Sequence, residues 1–189
     1  MANKDAAFGF RAIGSAGGGP YNGSTMRCLV PAAASEGPLF IGDVVTNIGT
    51  ADVDGYVHVT EATATEAAYG VVASFEADEA SSLPYRAALT KRYVNVIPCV
   101  GNFFVVQADG VMDAGDVGLN AVFAVGAGST ATGYSTTEMS ATDIAASAGK
   151  ELKIIGFLNS PDNDLTLTNA VAIVQFTEAQ LGSVQSVGV

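Results

Sequence analysis

Charged side chains are scarce in this chain, and so are tryptophan, histidine and cysteine. Asp, Glu, Lys and Arg make up 14% of the 189 residues, against about 25% in an average soluble domain. Tryptophan is absent, histidine occurs once and cysteine twice. Because a surface with so little charge is poorly hydrated, we expect part of it to be covered by other protein.

Cations are the rarer of the two signs of charge. The chain has 8 Lys and Arg against 19 Asp and Glu, a net charge of −11. Binding to nucleic acid or to an anionic membrane needs clustered cations, so we expect neither partner. Residues 1–35 carry three cations and one acid, a net charge of +2, whereas residues 36–189 carry −13. This asymmetry indicates two surfaces with different roles.

The shortage of histidine and cysteine removes most catalytic and zinc-binding arrangements. A Ser–His or Cys–His pair could use only His58, which lies in a strand pattern beside Tyr56 and Thr60. Cys28 and Cys99 are far apart in the sequence, are interpreted as free thiols, and cannot form a zinc site with one histidine. We therefore expect no enzymatic activity and no cofactor.

Two segments match ligand-binding loops in spacing alone. Residues 126–131 fit the pattern G-x-G-x-x-A, but a poor helix start follows them, which argues against phosphate binding. Counted from Thr50, the third, fifth, sixth and twelfth positions of an EF-hand loop fall on Asp52, Asp54, Gly55 and Glu61. The first acidic ligand is missing, and an Asp-Gly hairpin turn explains the same residues. Asp52, Asp54 and Glu61 are therefore a weak calcium candidate.

Short apolar runs separated by turn residues fill the chain from Thr25 onward and predict a mainly β protein. The nine predicted strands are 26–31, 39–47, 56–60, 69–76, 93–98, 102–108, 119–125, 152–158 and 170–176. Two of them are apolar on both faces, which favours a barrel or sandwich that is also covered from outside. Helix is expected at 140–148, with weaker candidates at 61–68 and 177–181. We expect a compact β-barrel or β-sandwich with one or two short helices.

The first 25 residues are rich in glycine and predict an extended N-terminal arm over 1–25, followed by a single β-rich domain over 26–189. The arm carries Phe8, Phe10, Ile13 and Tyr21, side chains that a solvated tail does not need. Apolar anchors on a basic segment indicate that it orders against a partner. We see no secretion signal and no apolar run long enough to cross a membrane, so we expect a soluble protein made in the cytosol.

The order of the short motifs resembles that of small tailed-bacteriophage head proteins. The motifs are Phe8-Gly9-Phe10-Arg11, PYNGST at 20–25, LFIGD at 39–43, GVVASFE at 70–76, YR at 85–86, FVVQADG at 104–110, DVGLNA at 116–121, GST at 128–130, LKIIG at 152–156 and PDN at 161–163. Each motif alone is weak, but together they span nearly the whole chain. The chain is similar in this respect to the capsid decoration, or cement, proteins.

This resemblance implies a structural virion protein on the outer surface of an icosahedral head, made in the host cytoplasm. Decoration proteins are β-rich and often trimeric, and they bridge neighbouring major capsid proteins of the HK97-like fold. By this resemblance we expect a homotrimer without a cofactor. The expected capsid contacts are the arm residues Phe8, Phe10, Arg11 and Tyr21.

Two other classes of function stay open. One is a different virion β-module, such as a head fibre, a tail component or a receptor-binding component, which copy number on the particle would distinguish. The other is a carbohydrate- or calcium-binding β-domain. The absence of tryptophan counts against sugar stacking, although Tyr56, Tyr69 and Tyr134 could provide it.

Overall fold

The computed structural model describes residues 3–32, 37–77 and 82–181. Its strands are β1 (Arg11–Ser15), β2 (Met26–Val30), β3 (Val44–Ala51), β4 (Val57–Glu61), β5 (Gly70–Phe75), β6 (Arg92–Pro98), β7 (Asn102–Gln107), β8 (Asn120–Ala124), β9 (Glu138–Ala145), β10 (Leu152–Phe157) and β11 (Val171–Phe176). Among these residues the helical element is one turn of 3₁₀ helix, Ala114–Asp116.

Five strands close into a barrel in the order β2-β4-β3-β5-β6, with β6 returning to β2. All neighbours are antiparallel except β2 and β4, which pair in parallel at Leu29 and His58. Valines from four strands fill the interior, namely Val45, Val59, Val72, Val94 and Val96. Branched side chains of this size suit the narrow inside of a small barrel.

The other six strands form an antiparallel sheet in the order β1-β7-β11-β10-β8-β9. Its inner face packs on the barrel through one core cluster that contains Phe104, Phe123 and Phe176 from the sheet and Val71 and Ile97 from the barrel. The barrel and the sheet therefore share a hydrophobic core, and the opposite face of the sheet points away from it.

Close backbone contacts fix the N-terminal segment between the barrel and the sheet. The amide of Phe10 donates to the carbonyl of Gly42 at 2.9 Å. Gly9 and Gly42 both have positive φ angles, 69° and 96°, and a Cβ on Gly9 would collide with the Gly42 carbonyl and with Ser135. Glycine is required here because the two backbones approach too closely for a side chain.

The prediction of a mainly β chain with a barrel is confirmed, and each of the nine predicted strands overlaps a strand of the structure. The helix expected at 140–148 is wrong, because strand β9 occupies Glu138–Ala145 and pairs with β8. Pairing with a sheet edge overrides the local capping pattern of Ser140 and Asp143. The weaker helix candidates at 61–68 and 177–181 are also wrong, since both segments form turns and isolated bridges.

The structure also corrects the expected arm over residues 1–25. Residues 11–15 form the edge strand β1, which pairs with β7, and Phe10 is only 2% exposed. The sequence pattern missed this strand because glycines flank it, whereas pairing with β7 supplies its hydrogen bonds. Residues 1–2 of the expected arm and 182–189 of the expected domain lie outside the described residues.

Candidate contact surface

The outward side of strands β1, β7, β11 and β10, here called the open face, is apolar and free of acid. These four neighbouring strands contain no Asp or Glu, and their charged residues are Arg11 and Lys153. The absence of acid in these strands contrasts with the net charge of −11 of the whole chain. A surface that excludes the prevailing charge of its own chain is a candidate for contact with another molecule.

Strand alternation places the apolar side chains of the open face. Phe104 and Val106 point into the core and are fully buried, so Phe103 and Val105 point outward. Val105 lies opposite Arg11 on one side and Ile173 on the other. A bulge in β10 leaves Ile155 38% exposed beside this row. The expectation of strands that are apolar on both faces therefore corresponds to apolar side chains on the outward side, of which Val105 is only 8% exposed whereas Ile155 is 38% exposed.

Arg11 stands at the β1 edge of the open face between two aromatic rings. Its guanidinium carbon lies 4.5 Å from the centroid of the Phe8 ring and 5.4 Å from that of Tyr134. Cation–π stacking at this distance orients the guanidinium but leaves its N–H groups available for a carboxylate. Two of the predicted arm residues, Phe8 and Arg11, are thus brought together at the surface.

An open groove of about 390 Å³ lies at the end of this face. Its lining includes the cations Lys4 and Arg11, the acid Asp162, and the side chains of Phe8, Gln107 and Leu158. The Gln107 amide holds the N-terminal segment in place, because its Nε2 donates to the Lys4 carbonyl at 2.7 Å and its Oε1 accepts from the Ala6 amide at 3.2 Å. The groove is therefore built by the fold of the N-terminal segment onto the sheet.

The other two predicted arm residues do not reach this surface. Phe10 is enclosed by Phe104, Phe123 and Phe176, with ring centroids 5.2–6.5 Å apart. Tyr21 is half-buried against the core and donates its hydroxyl to the Ser24 carbonyl at 2.5 Å. Phe10 is thus a core residue, and the expectation that it contacts a partner is corrected.

The loop 109–119, here called the acidic loop, has the opposite charge. It carries Asp109, Asp113 and Asp116, and its Val111 and Val117 are 55% and 45% exposed. The whole stretch 93–149 contains no Lys or Arg. Burial, together with the nearby carboxylates of Asp109 and Asp5, raises the pKa of Glu138. Acidic groups at this end of the sheet lie close together without a cation from their own stretch.

The calcium candidate is not assembled. Both oxygens of Asp52 are used within the β3–β4 turn, where Oδ1 accepts from the amides of Asp54 and Tyr56 and Oδ2 accepts from the Tyr93 hydroxyl. Glu61 is at the far end of β4, opposite Val45. Among the described residues no group of three His, Cys, Asp or Glu is arranged to hold a metal ion.

The remaining sequence candidates have structural roles. A Cβ on Gly128 would collide with the Phe40 ring, and one on Gly126 with Thr136, so packing explains both glycines. Cys28 and Cys99 are buried free thiols, and burial raises the pKa of each, that of Cys28 to about 11. These thiols are therefore poor nucleophiles near neutral pH.

Sequence reasoning missed two buried arginines and two buried acids, Asp43 and Glu151. The Arg86 guanidinium, fully buried, donates to the carbonyls of Thr90, Pro31 and Gly37. Arg92 donates to the carbonyls of Glu76, Leu83 and Tyr85. No local pattern signals these residues, because their partners are backbone carbonyls, which any residue type can supply.

Of the two buried acids, Asp43 is fully enclosed at the junction of the barrel and the sheet. Its Oδ2 accepts from the Phe40 amide at 2.6 Å. Burial raises the pKa of this carboxyl to about 6. The loop containing Asp43 also carries Gly42, which contacts the N-terminal segment, so this acid lies where the barrel meets the sheet.

Comparisons with family models, with curated proteins and with solved structures found no match for this chain. Within residues 3–32, 37–77 and 82–181, no helix has the length and apolar character to span a membrane.

Proposed function

We propose that this protein decorates and cements an icosahedral bacteriophage head by bridging neighbouring major capsid proteins of the HK97-like fold. It would do so as a homotrimer on the outer surface of the capsid. The observation that carries the proposal is the open face, four adjacent strands with an aliphatic row, two cations and no acid in a strongly acidic chain. The proposal also rests on the motif order that resembles decoration proteins.

The groove at the end of the open face provides a defined place for a capsid segment. Phe8 offers an aromatic ring, and the cations Arg11 and Lys4 outnumber the one acid of the lining, Asp162, so an extended segment with an acidic side chain fits its chemistry. The segment that carries these residues is fixed by Gln107 and by the Gly9–Gly42 contact before any partner arrives. A preformed site loses less conformational entropy on binding than a flexible arm does.

The experiment is the addition of purified protein to heads of the parent phage that were assembled without it. We expect many copies distributed over the whole head, counted by quantitative mass spectrometry and located by cryo-electron microscopy. Copies confined to one vertex or to the tail would favour the other virion β-module instead. Absence of any particle-bound protein would overturn the capsid role.

A pair of variants locates the contact on the molecule. Combined Phe8→Ala and Arg11→Ala substitutions remove an aromatic ring and a cation from the groove lining, and we expect at least about a tenfold loss of affinity for heads. The matched control combines Val53→Ala and Lys91→Ala, which removes an exposed aliphatic and a cation on the barrel. Equal affinity of the two double variants would exclude the groove as the capsid contact.

A further inference from the structure

Asn22 and Gly23 lie in an exposed turn between the N-terminal segment and strand β2. Residues 22–25 are exposed, whereas Tyr21 before them packs against the core and β2 begins at Met26. Asn22 is the one asparagine of the sequence that glycine follows. Within the described residues, neither the Gly23 amide nor the side-chain nitrogen of Asn22 donates a hydrogen bond. Both nitrogens are therefore available to react.

We propose that Asn22 is a site of spontaneous covalent modification, at which the side-chain amide is converted through a cyclic imide into aspartate or isoaspartate. The Gly23 nitrogen attacks Cγ of Asn22 and forms a C–N bond with it. The bond from Cγ to Nδ2 breaks, and ammonia leaves with the proton that the Gly23 amide gives up. Water then opens the ring at one of its two carbonyls, so the reaction uses water as its co-reactant and transfers no electrons.

The turn polarises the carbonyl that is attacked. The Ser24 amide donates to Oδ1 of Asn22 at 3.0 Å. Negative charge develops on this oxygen as the Gly23 nitrogen adds to Cγ, and a donor that is already in place stabilises it. Gly23 has a φ of 83°, and a Cβ there would meet no atom within 4 Å. The attacking nitrogen thus belongs to a residue without a side chain that stands in open space.

Hydrogen bonds hold the two sides of the turn while the backbone of the reacting pair is unrestrained. The Tyr21 amide donates to the Ile13 carbonyl at 3.3 Å, and the Tyr21 hydroxyl donates to the Ser24 carbonyl at 2.5 Å. In the described part of the chain, the backbone groups of Asn22 and Gly23 make no hydrogen bond to another backbone group. Ring closure therefore needs rotation about bonds of Asn22 and no unfolding of strand β1 or β2.

Asn47 shares one of these features and lacks the others. Its Oδ1 also accepts from the amide two residues on, that of Gly49, at 2.8 Å. However, Asn47 belongs to strand β3, and the Gln180 side chain bonds both its backbone amide and its backbone carbonyl, at 2.7 and 3.2 Å. The next residue is Ile48, whose branched side chain hinders approach to Cγ. Asn47 is therefore an internal control.

Conversion would change the charge of a second groove of the molecule. Asn22 lines an open groove of about 530 Å³ together with Ser15, Gly18 and Asn102, and the described residues of its lining include no charged side chain. The product carries a carboxylate, and isoaspartate also adds a carbon to the backbone. A neutral groove would thus become acidic as the protein ages.

The test follows Asn22 in the purified full chain during incubation in a mildly basic buffer. Trypsin cleaves after Arg11, Arg27 and Arg86, so the peptides 12–27 and 28–86 each contain a single asparagine, Asn22 in the first and Asn47 in the second. Mass spectrometry measures the replacement of NH₂ by OH in each peptide over time, and fragmentation distinguishes isoaspartate from aspartate. The same measurement on the chain unfolded in urea gives the rate without the fold.

Two glycine variants separate the reaction from a general disturbance of the turn. Gly23→Ala adds a methyl group at the attacking residue. The matched control Gly18→Ala makes the same change at another glycine with a positive φ, 93°, that lines the same groove. Circular dichroism checks the folding of both. We expect Gly23→Ala to slow the conversion of Asn22 by at least about tenfold and Gly18→Ala to change it by less than about twofold.

In the folded wild-type protein we expect a mixture of aspartate and isoaspartate at position 22, formed at least about tenfold faster than any conversion of Asn47. Four results would overturn the inference: a rate at Asn22 more than about tenfold below that of the unfolded chain, equal rates at Asn22 and Asn47, aspartate without isoaspartate, or equal slowing by both glycine variants. The modification is a property of the isolated chain and goes beyond the capsid role, so failure of the protein to bind heads would leave it standing.

Discussion

The barrel and the six-stranded sheet use their cations differently. On the barrel, Arg27 pairs with Glu76 at 2.7 Å and lies between the rings of Tyr56 and Tyr93, while Arg86 and Arg92 donate to backbone carbonyls. On the sheet, Arg11 and Lys153 stand on an outward face that contains no acid. The barrel thus uses its arginines to hold its own loops, whereas the sheet carries its two cations on its outward face.

The two faces of the six-stranded sheet carry different kinds of side chain. The inner side is an aromatic core built around Phe10, and the outer side is the aliphatic row of the open face. The N-terminal segment contributes to both, because Phe10 points inward and Arg11 points outward. A segment that the sequence identifies as a separate arm is therefore one component of the sheet.

The largest expected effect comes from truncating Phe10, the side chain that the N-terminal segment places in the core. Phe10→Ala leaves a cavity among three other phenylalanine rings, and we expect the free energy of unfolding to fall by about 3–5 kcal/mol. Urea denaturation followed by circular dichroism measures it. Phe8→Ala, two residues away and half-buried, is the control and should cost much less.

Deletion of residues 2–25 extends the same comparison. It removes both Phe10 and strand β1, so the truncated chain should fail to fold rather than lose only its partner contacts. A soluble, cooperatively unfolding truncated protein would show that the N-terminal segment is dispensable and would restore the idea of a separate arm.

The second expected effect tests the internal use of arginine in the barrel. Arg86→Lys keeps the charge, but a lysine ammonium lacks the planar fork with which the guanidinium donates to the carbonyls of Thr90, Gly37 and Pro31. We expect the free energy of unfolding to fall by about 2–3 kcal/mol, because buried carbonyls lose their donors. Arg27→Lys changes a surface guanidinium and should cost less. A larger loss of unfolding free energy for Arg27→Lys would contradict the conclusion that Arg86 stabilises the barrel loops more than Arg27 does.

Local patterns were sufficient for most of the barrel and sheet, because strands such as β6 and β11 consist mainly of apolar residues, many of them β-branched. They failed where pairing with another strand determined the secondary structure. Strand β9 has a helix-like capping pattern, but its residues pair with β8 at Phe123 and Ala121. Strand β1 is flanked by glycines and exists because β7 accepts it as an edge.

The candidate contact surface was only partly predictable for the same reason. The sequence indicated apolar anchors at Phe8 and Phe10 but could not tell which of them the sheet would bury. The sequence also divided the charges by position along the chain, whereas the structure groups them by neighbouring strands. Lys153 shares a face with Arg11 only because β10 lies near β7 in the sheet. Arg86 and Asp43 were missed because their burial depends on loops that meet only in the folded chain.

A third effect comes from Asp43, where the barrel meets the sheet. Its pKa is about 6 in the folded protein against an ordinary value of 3.8, because burial disfavours the carboxylate. The folded chain thus binds more protons than the unfolded chain between these values, and stability contributed by the protonated acid is lost as pH rises through this window. We expect Asp43→Asn to flatten the dependence of unfolding free energy on pH between about 4 and 6.

The buried Glu151 is a second contributor to this pH effect. Burial also raises the pKa of Glu151. We therefore expect Asp43→Asn and Glu151→Gln each to reduce part of the slope of unfolding free energy against pH. Urea denaturation at several pH values measures both slopes. A wild-type stability that rises with pH throughout this range would contradict the assignment of these acids as buried and destabilising when ionised.

The smallest expected effect separates the two acids of the β3–β4 turn. Asp52→Ala removes the acceptor for the amides of Asp54 and Tyr56 and for the Tyr93 hydroxyl, so the midpoint of thermal unfolding should fall by a few degrees. Asp54→Ala changes an exposed side chain and should leave that midpoint unchanged. Because Asp52 is already bonded within the turn and Glu61 lies at the far end of β4, millimolar calcium should not raise the midpoint of either variant or of the wild type. A calcium-dependent rise that disappears in Asp54→Ala would instead establish a metal site in this turn, and the barrel would then bind a ligand as well as stabilise itself.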